Sequence, residues 1–131
     1  MSSAYRTVPG LGLQPAVEVE LIYGPRRART VGILDSGATW TIFSREYAAI
    51  LGIEDISSGR HDRATTLGGP VDFYFFDLEV RLVVAGASFS GQVGFAAGHL
   101  ARNLLGRNLV FSRFEIGFRE TAQRVHLRPE E

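Results

Sequence analysis

The feature that most restricts the fold is an alternation of apolar and polar residues, the period of two that is typical of half-buried β-strands. Residues 15–23 and residues 71–84 both show this alternation. The apolar sides consist of Val17, Val19 and Leu21 in the first segment and of Tyr74, Phe76, Leu78, Val80, Leu82 and Val84 in the second. Glu18 and Glu20 lie on the other side of the first segment, where a solvated face is the simplest interpretation. Both segments are therefore predicted to be strands with one face in the core.

Turn residues divide the rest of the chain into further short strands. Gly24 and Pro25 predict a hairpin turn after the first segment. The other predicted strands are residues 29–34, 88–95, 114–118 and 124–128. Six to eight short strands with one short helix predict an all-β domain, barrel-like in form.

One segment has helical character, and a polar loop follows it. Residues 44–51 begin with Ser44, which can cap a helix, and are followed by Gly52, which can end one. The buried side of this helix is predicted to consist of Tyr47, Ile50 and Leu51. Residues 54–62, which include His61, are predicted to form a surface loop.

Length and composition exclude several classes of protein. The 131 residues are 45% hydrophobic and 21% charged, so we predict that residues 1–131 form a single domain. The 14 arginines balance 14 acidic residues, which leaves no long-range field to attract nucleic acid or a membrane surface. There is no cysteine, no leader-like start and no long apolar run. We therefore expect a cytoplasmic protein with neither nucleic acid nor membrane as a partner.

The sequence contains no recognisable metal or cofactor site. His61, His99 and His126 are scattered, and no two of them have the spacing of zinc ligands. The glycine-rich phosphate loop that ends in lysine is excluded because the chain has no lysine, and no Gly-x-Ser-x-Gly occurs. We therefore predict no metal and no organic cofactor.

One short motif has the character of a reactive site. Asp35 directly follows the apolar residues Ile33 and Leu34 and precedes Ser36 and Gly37. A carboxylate at the end of a buried strand loses hydration, so it needs hydrogen-bond donors or a shared proton. The glycine allows a sharp turn that can bring a backbone N–H to that carboxylate. Taken alone, the motif also fits an ordinary Asx turn.

A second motif, Asn-Leu-Leu-Gly-Arg-Asn-Leu-Val-Phe at residues 103–111, follows several tens of residues later. Together with Leu-Asp-Ser-Gly-Ala at residues 34–38 and Thr-Ile-Phe-Ser at residues 41–44, it resembles the retropepsin family, the retrovirus-type aspartic proteases and their cellular and bacterial relatives. The resemblance extends over residues 17–127. It implies a retropepsin-like (acid-protease) closed barrel with one or two short helices, functional as a two-fold dimer.

The resemblance implies roles for the residues of the first motif. Asp35 corresponds to the catalytic aspartate, Ser36 to the hydroxyl residue that braces the two catalytic loops, and Gly37 to the residue that shapes the loop. Ala38 and Thr39, which follow, are expected to line the substrate site.

It implies supporting roles for the second motif. Leu105 and Gly106 belong to the apolar segment that packs behind the catalytic loop, and Arg107 begins the short helix after it. Retroviral members commonly have an acidic residue as the partner of this arginine, whereas the corresponding position here is Thr39. The partner of Arg107 therefore stays open, and Trp40 can either shape a substrate pocket or pack in the core.

The resemblance also implies a flap, a hairpin that closes over bound peptide. Gly68 and Gly69 follow Leu67 and precede the predicted strand at residues 71–84, which is where such proteins have the flap. The glycine pair equally suits any hairpin turn.

The implied chemistry is peptide-bond hydrolysis by two carboxylates that share one proton. Asp35 is the only one of the five aspartates that is followed by Ser-Gly or Thr-Gly, so one chain provides one such carboxylate. We therefore predict a homodimeric aspartic endopeptidase acting on peptides or unfolded proteins, with residues 124–127 as the C-terminal candidate for the dimer interface. The alternatives are a retropepsin-like dimer that binds peptide or a partner protein without useful hydrolysis, and an unrelated β-barrel.

Overall fold

The computed structural model describes residues 1–66 and 69–130. These residues form twelve strands: β1 (Ser2–Ala4), β2 (Arg6–Val8), β3 (Gly12–Gln14), β4 (Ala16–Tyr23), β5 (Arg26–Leu34), β6 (Ile42–Phe43), β7 (Arg60–Thr66), β8 (Gly69–Leu82), β9 (Ala87–Ala96), β10 (Leu104–Leu105), β11 (Phe114–Arg119) and β12 (Arg124–Pro129). The helical elements are α1 (Arg45–Ile50), a 3-10 turn (Ile56–Ser58) and a π-helical turn (Arg107–Phe111). Within the described residues, no helix has the length and apolar character needed to cross a bilayer.

The main sheet closes on itself. Its seven strands follow the order β4-β5-β10-β6-β9-β8-β7, and β4 also pairs with β8. This last pairing joins the two sides of the sheet into a barrel, and the hairpin of β7 and β8 extends from it. A three-stranded sheet, β1-β12-β11, and a two-stranded hairpin, β2-β3, complete the structure. The predicted all-β closed barrel is therefore confirmed.

The predicted strands are present, but the predicted number was too low. Five of the additional strands are only two or three residues long, which is too short for a period of two to show in the sequence. The sixth is β7, which includes His61 and begins inside the segment that the sequence indicated as a loop. Most of its residues are polar, so no apolar alternation marks the strand in the sequence, and its backbone pairing with β8 decides its conformation.

The core lies on both faces of the longest strand. Val17, Val19 and Leu21 of β4 are fully buried, as predicted, in the main cluster that fills the barrel. The even-numbered side of β8 contacts the same cluster from Phe76 onward. Its odd-numbered side is buried nearer the start of the strand, where Phe73 and Phe75 form a second, smaller cluster with Ile42 and Ala96. The sequence pattern had indicated only one buried face.

Helix α1 differs from its prediction in the residues that it buries. Ala48 and Leu51 contact the core, whereas Ile50 is 51% exposed. Tyr47 is half-buried, and its hydroxyl is 2.7 Å from Thr30 Oγ1. With fewer than two turns, the helix can present only a narrow face to the core, and the i, i+3 pair of Ala48 and Leu51 occupies that face. Gly52, with φ of +83°, ends the helix as predicted.

Candidate active site

The strand order brings the two motifs to one edge of the barrel. Strand β10 lies parallel to β5, with Leu105 opposite Leu34, so both strands end at the same edge. It also lies antiparallel to β6, which begins at that edge. The loop that contains Asp35 and the loop that begins at Gly106 are therefore neighbours, although 71 positions separate these two residues.

Hydrogen bonds hold Asp35 at the start of its loop. Its backbone N–H donates to the carbonyl of Leu105 (3.1 Å), and its own carbonyl accepts from the N–H of Ala38 (3.1 Å). One carboxylate oxygen, Oδ1, accepts from the N–H of Gly37 (2.9 Å). Within the described residues the other oxygen has no hydrogen-bond partner, so it is available to a molecule in the cleft.

A buried threonine connects the two loops. Thr41 has 0% exposure, and its Oγ1 accepts from the N–H of Gly106 (3.1 Å). Its own N–H donates to Asn108 Oδ1 (2.8 Å). A Cβ on Gly106 would lie 2.3 Å from the carbonyl oxygen of Trp40, closer than real Cβ contacts, so only glycine fits there. The close approach of the two loops therefore depends on Gly106.

Arg107 binds the first loop at two points. Its backbone N–H donates to the carbonyl of Ala38 (2.9 Å), and its Nη2 donates to Thr39 Oγ1 (3.1 Å). The partner that the sequence left open is thus a hydroxyl in place of a carboxylate. Arg107 also begins the π-helical turn, as predicted, and Leu105 before it is fully buried.

Sequence reasoning missed three polar residues that support these loops. Thr41 and Asn108 are two of them. The third, Asn103, donates through Nδ2 to Thr30 Oγ1 (3.2 Å) and to the carbonyl of Val31 (3.1 Å). Its Oδ1 accepts from the backbone N–H of Ser44, the residue before α1 (3.0 Å). All three belong to the motifs at residues 41–44 and 103–111, but their residue types alone do not indicate these hydrogen bonds.

A cleft of about 710 Å³ opens beside Asp35. It is lined by Asp35, Gly37, Ala38, Thr39, Trp40, Ile42, Arg63, Ala64, Thr65, Arg102 and Leu104. Ser36 is exposed and is absent from this lining. Trp40 both lines the cleft and packs edge-on against Phe75, with 4.9 Å between ring centroids, so the two interpretations of this residue are compatible. Within residues 1–66 and 69–130, no group of three His, Asp or Glu side chains could hold a metal ion.

Solved structures with a similar fold include the following two. A retropepsin-like aspartic protease from Rickettsia conorii is 21% identical, with a TM-score of 0.64 over 95% of this chain and 97% of that chain. EIAV protease complexed with the inhibitor HBY-793 is 19% identical, with a TM-score of 0.53 over 79% of this chain and 90% of that chain. The chain has the retropepsin fold. No family model matches the sequence, and no curated protein matches it.

The hairpin of β7 and β8 is the part of the chain in which the sequence predicts a flap. The two strands pair continuously from Arg60 opposite Phe75 to Thr66 opposite Gly69. Residues 63–65 of β7 line the cleft. Of the predicted flap residues, Gly69 begins β8, and Leu67 and Gly68 lie outside the described residues.

An ion-pair cluster crosses this hairpin. Asp72 Oδ1 is 3.0 Å from Arg63 Nε and 2.8 Å from His61 Nε2. The pKa of the Asp72 carboxyl lies below its ordinary value. The main cause is the hydrogen bond from Arg63, and the second is the hydrogen bond from His61. The hydrogen bond to Asp72 raises the pKa of Arg63. The cluster thus favours the ionised carboxylate in the folded chain.

Acid should weaken the hairpin through Asp72. Because its folded-state pKa is depressed, its contribution to stability is present above the unfolded pKa of about 3.9 and is lost as the pH falls through the lower folded value. The urea midpoint of Asp72→Asn should therefore lie below that of the wild type at pH 6, and the difference should close below about pH 4. Asp77→Asn, a change at an exposed position of the same strand, is the matched control. A difference that stays constant with pH would contradict the assignment.

Proposed function

We propose that this chain is an aspartic endopeptidase that hydrolyses peptide bonds as a homodimer, with Asp35 as the catalytic residue. The observation that supports it is the different surroundings of the two oxygens of the Asp35 carboxylate. One oxygen is held by the N–H of Gly37, and the other is available at a cleft large enough for an extended peptide. The retropepsin fold supports the same chemistry by analogy, since a fold alone does not determine an activity.

The mechanism needs two carboxylates about 3 Å apart, which cannot both ionise and therefore share one proton. The ionised member would take a proton from water, and the protonated member would polarise the scissile carbonyl. The two titrate as a unit, so their pKa values belong to the pair. In this scheme the N–H of Gly37 orients the carboxylate and the N–H of Ala38 holds the backbone carbonyl of Asp35. Ala38 and Thr39 contribute to the substrate site.

The second carboxylate has to come from a second copy of the chain. Within the described residues, Asp35 is the one acidic side chain that lines the cleft. A two-fold axis would place two copies of Asp35 face to face, which a self-complementary interface produces naturally. We propose the sheet of β1, β12 and β11 as part of that interface, with residues 124–127 in its middle strand. Ser36 is exposed on the same loop as Asp35, as a residue that braces one loop against its copy would have to be.

Hydrolysis measured over a dilution series tests this proposal. An unstructured protein substrate should be cleaved fastest at mildly acidic pH, where one carboxyl of the pair is protonated and one ionised. Activity per chain should fall on dilution as dimers dissociate, in parallel with the dimer fraction measured by sedimentation. A monomer with undiminished activity per chain would contradict the two-chain mechanism. A dimer that binds peptide but never cleaves it would support the non-catalytic alternative.

A further inference from the structure

The charges that line the cleft are unevenly paired. Its charged side chains are Asp35, Arg63 and Arg102. The guanidinium of Arg63 forms an ion pair with Asp72 within the hairpin. Arg102 is half-buried and, within residues 1–66 and 69–130, makes neither an ion pair nor a hydrogen bond. The cleft therefore contains one uncompensated guanidinium.

A second cation adds to the positive potential beside the cleft. Arg107 binds the hydroxyl of Thr39, which lines the cleft, and this neutral partner leaves the positive charge of Arg107 in place. The catalytic pair, with one shared proton, would hold one negative charge between two chains, whereas each chain contributes its own Arg102 and Arg107. A substrate with a negative charge would balance this excess.

We propose that Arg102 selects substrates with an Asp or Glu side chain close to the scissile bond. The inference rests on the proposed function and adds a substrate class to it. Guanidinium binds a carboxylate through two parallel hydrogen bonds, and the pair is stronger in a partly desolvated cleft than at an open surface. A glutamine of the same shape could accept fewer of these bonds and has no charge. Substrate choice would then depend on charge as well as on the apolar side chains of Trp40 and Ile42.

Matched peptides test this selection. Short apolar peptides that differ only in having Glu or Gln at one position are compared by kcat/KM, with the position moved along the peptide. At the favoured position the wild type should prefer Glu by about five- to tenfold, and the preference should shrink at high salt. Arg102→Gln should bring the ratio close to one, and Arg102→Lys should keep part of it. Arg29→Gln is the control, because it removes one exposed arginine on β5 about 20 Å along the strand from Asp35.

A binding measurement separates failure of this inference from failure of the proposed function. Fluorescence anisotropy of the same labelled peptides is recorded with Asp35→Asn and with Asp35→Asn combined with Arg102→Gln. One outcome is that the wild type hydrolyses no peptide, while Asp35→Asn binds Glu peptides more tightly than Gln peptides and loses this advantage when Arg102→Gln is added. In that case the endopeptidase proposal fails and the selection by Arg102 stands. The inference would be overturned if the chain with Arg102 intact showed equal affinity and equal kcat/KM for Glu and Gln peptides. It would also be overturned if the preference for Glu persisted in Arg102→Gln.

Discussion

Asp35→Asn should reduce peptide hydrolysis by at least about 10³-fold, because an amide can neither take a proton from water nor share one with a second carboxyl. The fold should survive the change. Asparagine has the same shape, its Oδ1 can still accept the N–H of Gly37, and Asp35 is only half-buried. Circular dichroism and sedimentation should therefore match the wild type while the initial rate of cleavage is lost.

A mixing experiment makes the same variant a test of the two-chain site. A roughly tenfold excess of Asp35→Asn should lower wild-type activity to about a tenth, since random pairing leaves few wild-type chains in wild-type dimers. Asp55→Asn is the matched control: Asp55 caps the 3-10 turn and is absent from the cleft lining. Cleavage that persists in Asp35→Asn, or wild-type activity that does not respond to the excess, would show that the reaction does not use this residue in pairs.

The strands that could be predicted from sequence are those long enough to show a period. Strand β4 has eight residues and β8 has fourteen, so alternation marks both. Strands β6 and β10 have two residues each, and their conformation is set by the neighbours with which they pair. These two strands place the loops of the site next to each other, so the most important part of the topology had no local signal.

The candidate site was predictable to a similar degree. Asp35 and Gly106 belong to short motifs with recognisable residue types, and the structure brings both loops to one edge of the barrel. The role of Thr41 depends on a backbone N–H that is 65 positions away, so the sequence near Thr41 contains no sign of it. Likewise, Thr39 can be identified as the partner of Arg107 only from the contact between the two loops. Ile50 shows the opposite case, in which local apolar character indicated burial that tertiary packing did not provide.

Gly106→Ala should destabilise the fold by roughly 3 kcal/mol, the largest loss that we expect from a single methyl group in this chain. The added Cβ would lie 2.3 Å from the carbonyl oxygen of Trp40 and 2.8 Å from that of Ala38. Both atoms are backbone, so neither can rotate away, and the two loops would have to separate. Separation would also break the buried hydrogen bond from Gly106 to Thr41 and leave its donor unsatisfied.

Gly98→Ala provides the matched control for this methyl group. A Cβ at Gly98 would meet no atom within 4 Å. The urea midpoint of Gly98→Ala should therefore stay close to that of the wild type, and its free energy of unfolding should change by less than about 0.5 kcal/mol. Gly106→Ala should also lose hydrolysis before it loses fold as urea is added, because Asp35 takes its position from the same loop contacts. If Gly106→Ala proved as stable as Gly98→Ala, the two loops could not be in the close contact that aligns Asp35 with the cleft.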